Sequence, residues 1–379
     1  MLTLTPKRSR LTCIGLDVSA TAVRAAQLRR AGDVWTVVHA GESRRASAAP
    51  DTGDGNGDAS SIEQGIRDCI QRADFRGRQV ICALCPPDID LHALGLPDLS
   101  AQPENQVDDI VHWEIKRLTS PETGEIETSH WRLPEGTRGS PNIIGVATSQ
   151  ASVALLSQRC RGVGLDCIGI DASPCALARA ASTLAPREQT DVWGVLDLGH
   201  RQSRLLICMG HTPVLARSAG SGGEEWTQRL AEELKLSDEA AEVHKCDHGI
   251  APSRRGARRE PAPGAPRSEL ASILFGVLRQ TLTKLVAEIE RSYSYVLGCY
   301  PSGVARDLII VGGGAATHQL PEYLGDNLGI TVRRASSYLV DSPCRLRCDI
   351  GSGTGDSPVR EPFERYMTAI GLAMESDPK

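Results

Sequence analysis

Gly15-Leu16-Asp17-Val18-Ser19 and Val195-Leu196-Asp197-Leu198-Gly199 are two versions of one device. Each is a short apolar run ending in Asp, then a small residue, then polar residues leading into a second apolar run, which predicts strand, tight turn and returning strand. The two aspartates stand 180 positions apart, one near the start of each half, and this predicts an internal repeat. Two strand-end carboxylates facing one cleft between similar lobes suit a site for a metal and a nucleotide.

The 379 residues are too many for one ordinary core and predict at least two units. A hydrophobic share of 40% with 23% charged residues is that of a soluble globular protein. Aromatic residues are only 4%, so Ala, Leu, Val and Ile must build the core. A net charge of -5 carries no electrostatic footprint for nucleic acid, and no nucleic-acid partner is expected. The longest apolar candidate for a membrane span, residues 270–278, is broken by Arg279. The basic start Lys7-Arg8-Ser9-Arg10 leads into a strand pattern rather than an apolar signal core, so a cytoplasmic protein is expected. Cys13, Cys82, Cys160, Cys208 and Cys299 lie within apolar patterns, where a free cysteine behaves as a small hydrophobe. Cys82 and Cys85 have metal-ligand spacing but no second pair nearby, and a zinc site is not expected there.

Taken in order, residues 11–18, 22–28 and 34–38 read as strands and 41–58 as a loop rich in Gly, Ser, Asp and Ala. A helix from Ser61 and a strand over 79–85 follow. Residues 88–165 read as a small α+β insert of helix (104–118), two strands (128–133 and 142–148) and a second helix from Ser149. A helix over 171–184 closes the first half. The second half offers strands at 192–198, 203–209 and 213–219, helices at 224–234 and from the N-cap residue Ser237, and a long helix over 268–297. The basic, Pro/Gly-rich stretch 251–267 reads as an exposed excursion. A strand at 308–311, Gly312-Gly313-Gly314, a helix broken near Pro321, a strand at 330–333 and a helix around 363–374 complete the chain. The division expected is a first lobe opened by 1–87, the insert 88–165, a closing helix within 166–190, and a second lobe 191–379 with a helical subdomain near 220–267.

A nucleotide held between lobes needs backbone N–H groups at tight turns for phosphate oxygens, carboxylates that hold a metal through water, and close backbone approach to the base or ribose. The first turn offers Ser19, Ala20 and Thr21, with Arg24 as a cation. The second offers Asp197 and Gly199, and Gly312, Gly313 and Gly314 after a buried strand supply the third element. Singly, each also reads as an ordinary turn or loop; their order and their placement at strand ends argue for a site. His244, Cys246, Asp247 and His248 form another dense cluster, but helical spacing points Cys246 away from the two histidines.

The segment from Gly15 to Arg24 resembles the first phosphate segment of actin-like ATPases of the PilM type, type IV pilus assembly proteins related to the cell-division protein FtsA. The helix carrying Trp113-Glu114, the Gly222-Gly223 pair, Glu290-Arg291-Ser292-Tyr293, Val311-Gly312-Gly313-Gly314-Ala315 and Ala369-Ile370-Gly371-Leu372-Ala373 follow the same pattern in order. The resemblance implies a two-lobed actin-like ATPase fold, α/β with RNase H-like repeats and an α+β insert in the first lobe. It implies ATP with Mg held through water by Asp17 and Asp197, with Glu242 and Lys245 reaching the nucleoside. It also implies a cytoplasmic scaffold at the inner membrane that binds the tail of a PilN-like membrane protein between the first lobe and the insert, touches the membrane only through that partner, and is capable of self-association. Two departures stand out. Arg24 replaces the usual Lys, keeping the charge with a different fork geometry. After Asp197-Leu198-Gly199, His200, Arg201 and Gln202 replace the usual hydroxyls, and these side chains either fill the phosphate pocket or let Arg201 hold a phosphate. No residue is assigned as the base for water, so at most a weak ATPase is expected. A sugar or acid kinase of the same superfold and a scaffold without nucleotide are the rival readings.

Overall fold

Apolar residues dominate the strands that meet helices on both faces, as burial on two sides requires. In the computed structural model, which describes residues 10–45, 56–97, 102–120, 124–250, 269–340, 344–349 and 363–375, those strands form two large sheets. The chain opens with β1 (Arg10–Leu11), β2 (Ile14–Val18), β3 (Ala22–Ala31) and β4 (Val34–Arg44), then α1 (Asn56–Gln71) and β5 (Gln79–Leu84). β6 (Asp90–Leu94), α2 (Glu104–Leu118), β7 (Ile126–Arg132), β8 (Ile143–Ser149), α3 (Gln150–Gly162), β9 (Asp166–Ala172) and α4 (Ser173–Ala181) follow. The second half runs through β10 (Asp191–Leu198), β11 (Gln202–Met209), β12 (Thr212–Ser221), α5 (Gly223–Leu234), α6 (Asp238–Asp247) and α7 (Glu269–Cys299). It ends with β13 (Val304–Val311), α8 (Leu320–Leu328), β14 (Thr331–Arg334), β15 (Leu346–Cys348) and α9 (Met367–Glu375).

The first sheet has the order β15-β4-β3-β2-β5-β9, with β1 on β3; the second has the order β12-β11-β10-β13-β14. In each, an antiparallel three-strand meander is extended by two parallel strands, so β2 corresponds to β10, β3 to β11 and β5 to β13. The repeat expected from the paired aspartates is therefore a repeat of whole sheets. A third sheet, β6-β8-β7, carries α2 on one face through Val107, Val111 and Ile115.

Helices α4 and α9 lie between the two large sheets, where one apolar cluster joins Ala26 and Leu28 of the first to Trp193 and Val195 of the second. At their crossing, a Cβ on Gly371 would lie 1.8 Å from the Ala176 carbonyl oxygen, so only glycine permits this approach. α1 and α3 cover the other face of the first sheet, while α5, α7 and α8 cover the second.

Several expectations are corrected. Residues 41–44 continue β4 instead of opening a loop, because their backbone pairs with β3 throughout and Glu42 and Ser43 are buried. β6 and β9 were not anticipated, and the helix expected at 171 starts at Ser173 after a strand. Pro321 occupies the first turn of α8, where its missing N–H costs nothing, and so opens that helix. β15 pairs in parallel with β4, and α9 packs on β2, so these two C-terminal segments belong to the first sheet and not to the lobe expected for 191–379. Leu270–Cys299 is long and apolar enough to cross a membrane despite Arg279, yet its Leu274, Leu278, Leu282 and Ile289 are buried in the second core. The 251–267 stretch lies outside the described residues.

Candidate functional site

Asp17 and Asp197 end the two equivalent strands β2 and β10. Antiparallel register sets Arg24 directly across from Asp17 and Arg204 directly across from Asp197. The arginines are 180 positions apart like the aspartates, so Arg204 was legible in the same arithmetic and was missed. Arg201, the cation expected at the second turn, is exposed. Arg24 Nε lies 3.2 Å from Glu42 Oε2 and Nη2 lies 3.3 Å from Oε1, while Nη1 donates to Ser19 Oγ at 3.4 Å. Arg365 Nη1 stands 3.6 Å from the same Glu42. Arg204 donates through Nη2 to the Pro86 carbonyl at 3.0 Å, and its Nη1 is 3.9 Å from Asp197. Burial pushes the Asp17 carboxyl up to about 6; Arg24 opposes this and the Asp197 charge adds to it. Asp197 is raised by burial against the pull of Arg204 and Arg24.

Three turns meet this cleft with unspent donors. Ser19 N–H donates to the Ala22 carbonyl, whereas the N–H groups of Ala20 and Thr21 donate to no described residue. The N–H groups of His200 and Arg201 are equally free among the described residues. Gly312 N–H donates to the Glu364 carbonyl, leaving Gly313 and Gly314 N–H without described partners. Gly312 has φ 83°, and a Cβ there would be 2.5 Å from Asp197 Oδ1, so glycine is what lets this turn close on the carboxylate. The buried Nε atoms of Arg204 and Arg365 have no hydrogen-bond partner among the described residues. Converging backbone N–H groups and unspent guanidinium donors are the chemistry that receives phosphate oxygens.

The region around Glu242 and Lys245 is arranged differently. The first amides of α5 are spent on the second turn: Gly222 N–H donates to Arg201 O, Gly223 N–H to Gly199 O and Glu224 N–H to His200 O, at 2.9–3.1 Å. His200 itself reaches Glu224, with Nε2 3.5 Å from Oε1. Ser237 caps α6 as expected, accepting from Ala240 N–H. Lys245 is buried, and its Nζ donates to Glu242 Oε2 (2.5 Å), Thr227 Oγ1 (2.8 Å) and the Gly223 carbonyl (3.1 Å). All three ammonium protons are thus engaged, and Thr227, absent from the expected set, is one of their acceptors. Burial works against the Glu242 charge, but Lys245 and the Thr227 hydroxyl outweigh it and hold the carboxyl below its usual range. The Glu242 side chain is half exposed, whereas Lys245 is buried.

Elsewhere, the His244 and His248 rings stand 5.4 Å apart while Cys246 turns toward Glu242. Cys82 meets Cys160 and Cys167, not Cys85.

No protein-family model matches the chain, and no curated protein matches it in sequence. Solved structures do. The PilM–PilN type IV pilus biogenesis complex is similar with a TM-score of 0.72 and 21% identity, over 97% of this chain and 99% of that one. The ethanolamine utilization protein EutJ from Carboxydothermus hydrogenoformans is similar with a TM-score of 0.51 and 14% identity, over 98% and 91% of the two chains. The repeated sheets, the helix pair between them and the extra α+β sheet make this chain a two-lobed actin-like ATPase fold with an insert in the first lobe, the fold shared with the PilM–PilN complex.

Proposed function

We propose that the protein is a nucleotide-binding scaffold of a type IV pilus or related secretion assembly. It would be cytoplasmic and held at the inner membrane through a PilN-like protein, whose short cytoplasmic tail binds in a groove between the first lobe and the insert. The observation that carries this reading is the fold match to the PilM–PilN complex over 97% of the chain, insert included.

The cleft residues fit ATP with Mg. The free N–H groups of Ala20 and Thr21, His200 and Arg201, and Gly313 and Gly314 would receive phosphate oxygens, helped by Arg24, Arg204 and Arg365. Asp17 and Asp197 would hold the metal through water, and a cation between them would favour their charged forms against the burial that raises both carboxyls. Glu242 would meet the nucleoside, while Lys245 orients Glu242 and ties α5 to α6. A bound nucleotide would fix the angle between lobes, and that angle would bias the partner surface.

The amides of α5 already spent on the second turn favour a second reading, a scaffold that does without nucleotide. Thermal-shift titration with ATP and Mg separates the two: binding that Asp17→Ala and Asp197→Ala abolish supports the switch, and no shift at millimolar ATP leaves the inert scaffold. A synthetic PilN-like tail peptide tests the partner independently; failure to bind the purified protein in either nucleotide state overturns the pilus assignment.

A further inference from the structure

Cys82 in β5, Cys160 in the last turn of α3 and Cys167 at the start of β9 come from three separate elements. Cys82 Sγ lies 3.6 Å from Cys160 Sγ and 3.9 Å from Cys167 Sγ, and all three sulfurs are within 4.8 Å of one another. All are free thiols; Cys82 and Cys160 are buried and Cys167 is half-buried. For an isolated buried cysteine such as Cys208, packing is the whole account. Packing requires no such convergence here. Val80, Cys82 and Leu84 share one face of β5 by strand alternation, and Leu156 and Cys160 share one face of α3; alanine or valine would fill either space.

The spacing is that of a ligand set. With metal–sulfur bonds of about 2.3 Å, sulfurs in a trigonal plane stand about 4.0 Å apart, and sulfurs at tetrahedral angles about 3.8 Å. Among the described residues no His, Asp or Glu atom joins the three sulfurs, so the closed four-ligand set of a structural zinc is incomplete. Cys167 Sγ also donates to the Gly169 carbonyl at 3.5 Å. Soft thiolates select Cu(I), zinc and iron–sulfur clusters, and of these zinc and the clusters take four ligands, which leaves Cu(I).

We propose that Cys82, Cys160 and Cys167 form a three-thiolate site for Cu(I). The cation replaces thiol protons, which pass to solvent, and its oxidation state does not change; binding therefore strengthens as pH rises. The bound ion would clamp α3 to β5 and β9 on the face of the first sheet away from α4 and α9.

The test is anaerobic titration of the reduced full chain with Cu(I) against a chromophoric Cu(I) chelator, followed by X-ray absorption. One equivalent per chain should leave the chelator, with three sulfurs at about 2.3 Å. Cys160→Ser should weaken that equivalent about 100-fold or more, since a ligand rather than a supporting group is lost. Cys13→Ser and Cys348→Ser should leave it unchanged. Cys167→Ala, at the half-buried position, serves if Cys160→Ser does not fold. Retention of the tight equivalent in Cys167→Ala overturns the site, as does a two-sulfur absorption spectrum. Preferential uptake of one four-coordinate Zn2+, or a disulfide between Cys82 and Cys160 in protein purified under reducing conditions, overturns it too.

Discussion

Asp17→Asn should stabilise the protein at neutral pH, an unusual direction for a substitution in a candidate binding site. Burial among β2, β3 and the opposing Asp197 holds the Asp17 carboxyl at about 6 instead of 3.8. Below about pH 3 the group carries its proton in both folded and unfolded chains and has no effect on the balance between them. Between pH 4 and pH 6 the folded chain keeps a proton that the unfolded chain has released, so stability falls as pH rises. Above about pH 7 the loss is complete, and at 1.36 kcal/mol per pKa unit it reaches up to roughly 3 kcal/mol. Asn keeps the shape and removes the charge. Urea unfolding of wild type and Asp17→Asn at pH 4, 5, 6, 7 and 8, in magnesium-free buffer, should give a difference that grows from near zero to between 2 and 3 kcal/mol in favour of the variant, by the same conversion. A difference that does not change with pH, or a variant less stable than wild type at pH 8, would refute the reasoning. It would mean that Arg24 and Arg204 already neutralise the carboxylate in the folded chain.

Three further outcomes follow from the geometry. Lys245→Met should cost roughly 2–3 kcal/mol, because the Thr227 hydroxyl and Gly223 carbonyl lose a charged donor, while the half-exposed Glu242 rehydrates; ATP affinity should change less than 3-fold, against a loss of 10-fold or more if Lys245 contacts the nucleoside. Glu42→Gln breaks a buried pair with Arg24 and frees Arg365, and should destabilise by about 3–5 kcal/mol in urea unfolding. Gly371→Ala, which in an exposed helix would stabilise by up to about 1 kcal/mol, should instead lose roughly 1–3 kcal/mol, as its Cβ meets the Ala176 carbonyl.

What the sequence reveals of this fold, and what it hides, has a physical pattern. The paired aspartates announced a repeat because strand alternation and a tight turn leave a local imprint at each copy. α2 runs over the very residues its apolar spacing marks, since Val107, Val111 and Ile115 are buried against one sheet with Ile110 packed beside them, while Leu118 at its end is exposed. β4 was cut short because Gly41, Glu42 and Ser43 look like loop residues; the pairing that makes them strand comes from β3 and from Arg24. Arg204 was overlooked in favour of Arg201, which is nearer in sequence, because register across an antiparallel pair decides which cation faces Asp197. Lys245 was expected in the cleft, yet its partners Thr227 and Gly223 lie about twenty residues earlier and engage the charge that the spacing left free. The cysteine cluster was invisible for the same reason, since Cys82 stands 78 positions from Cys160.

The return of β15 and α9 to the first sheet sets a schedule for synthesis. β2 is complete once residue 18 is translated, but the helix that seals its inner face ends at Glu375. At ordinary translation speeds of 5–20 residues per second, that sheet waits roughly 20–70 seconds with an apolar face uncovered. The second sheet and its helices have all been made within that interval. A nascent chain of this protein thus exposes Ala26 and Leu28 on that face until α9 is made, and chaperones have a fixed window in which to find them.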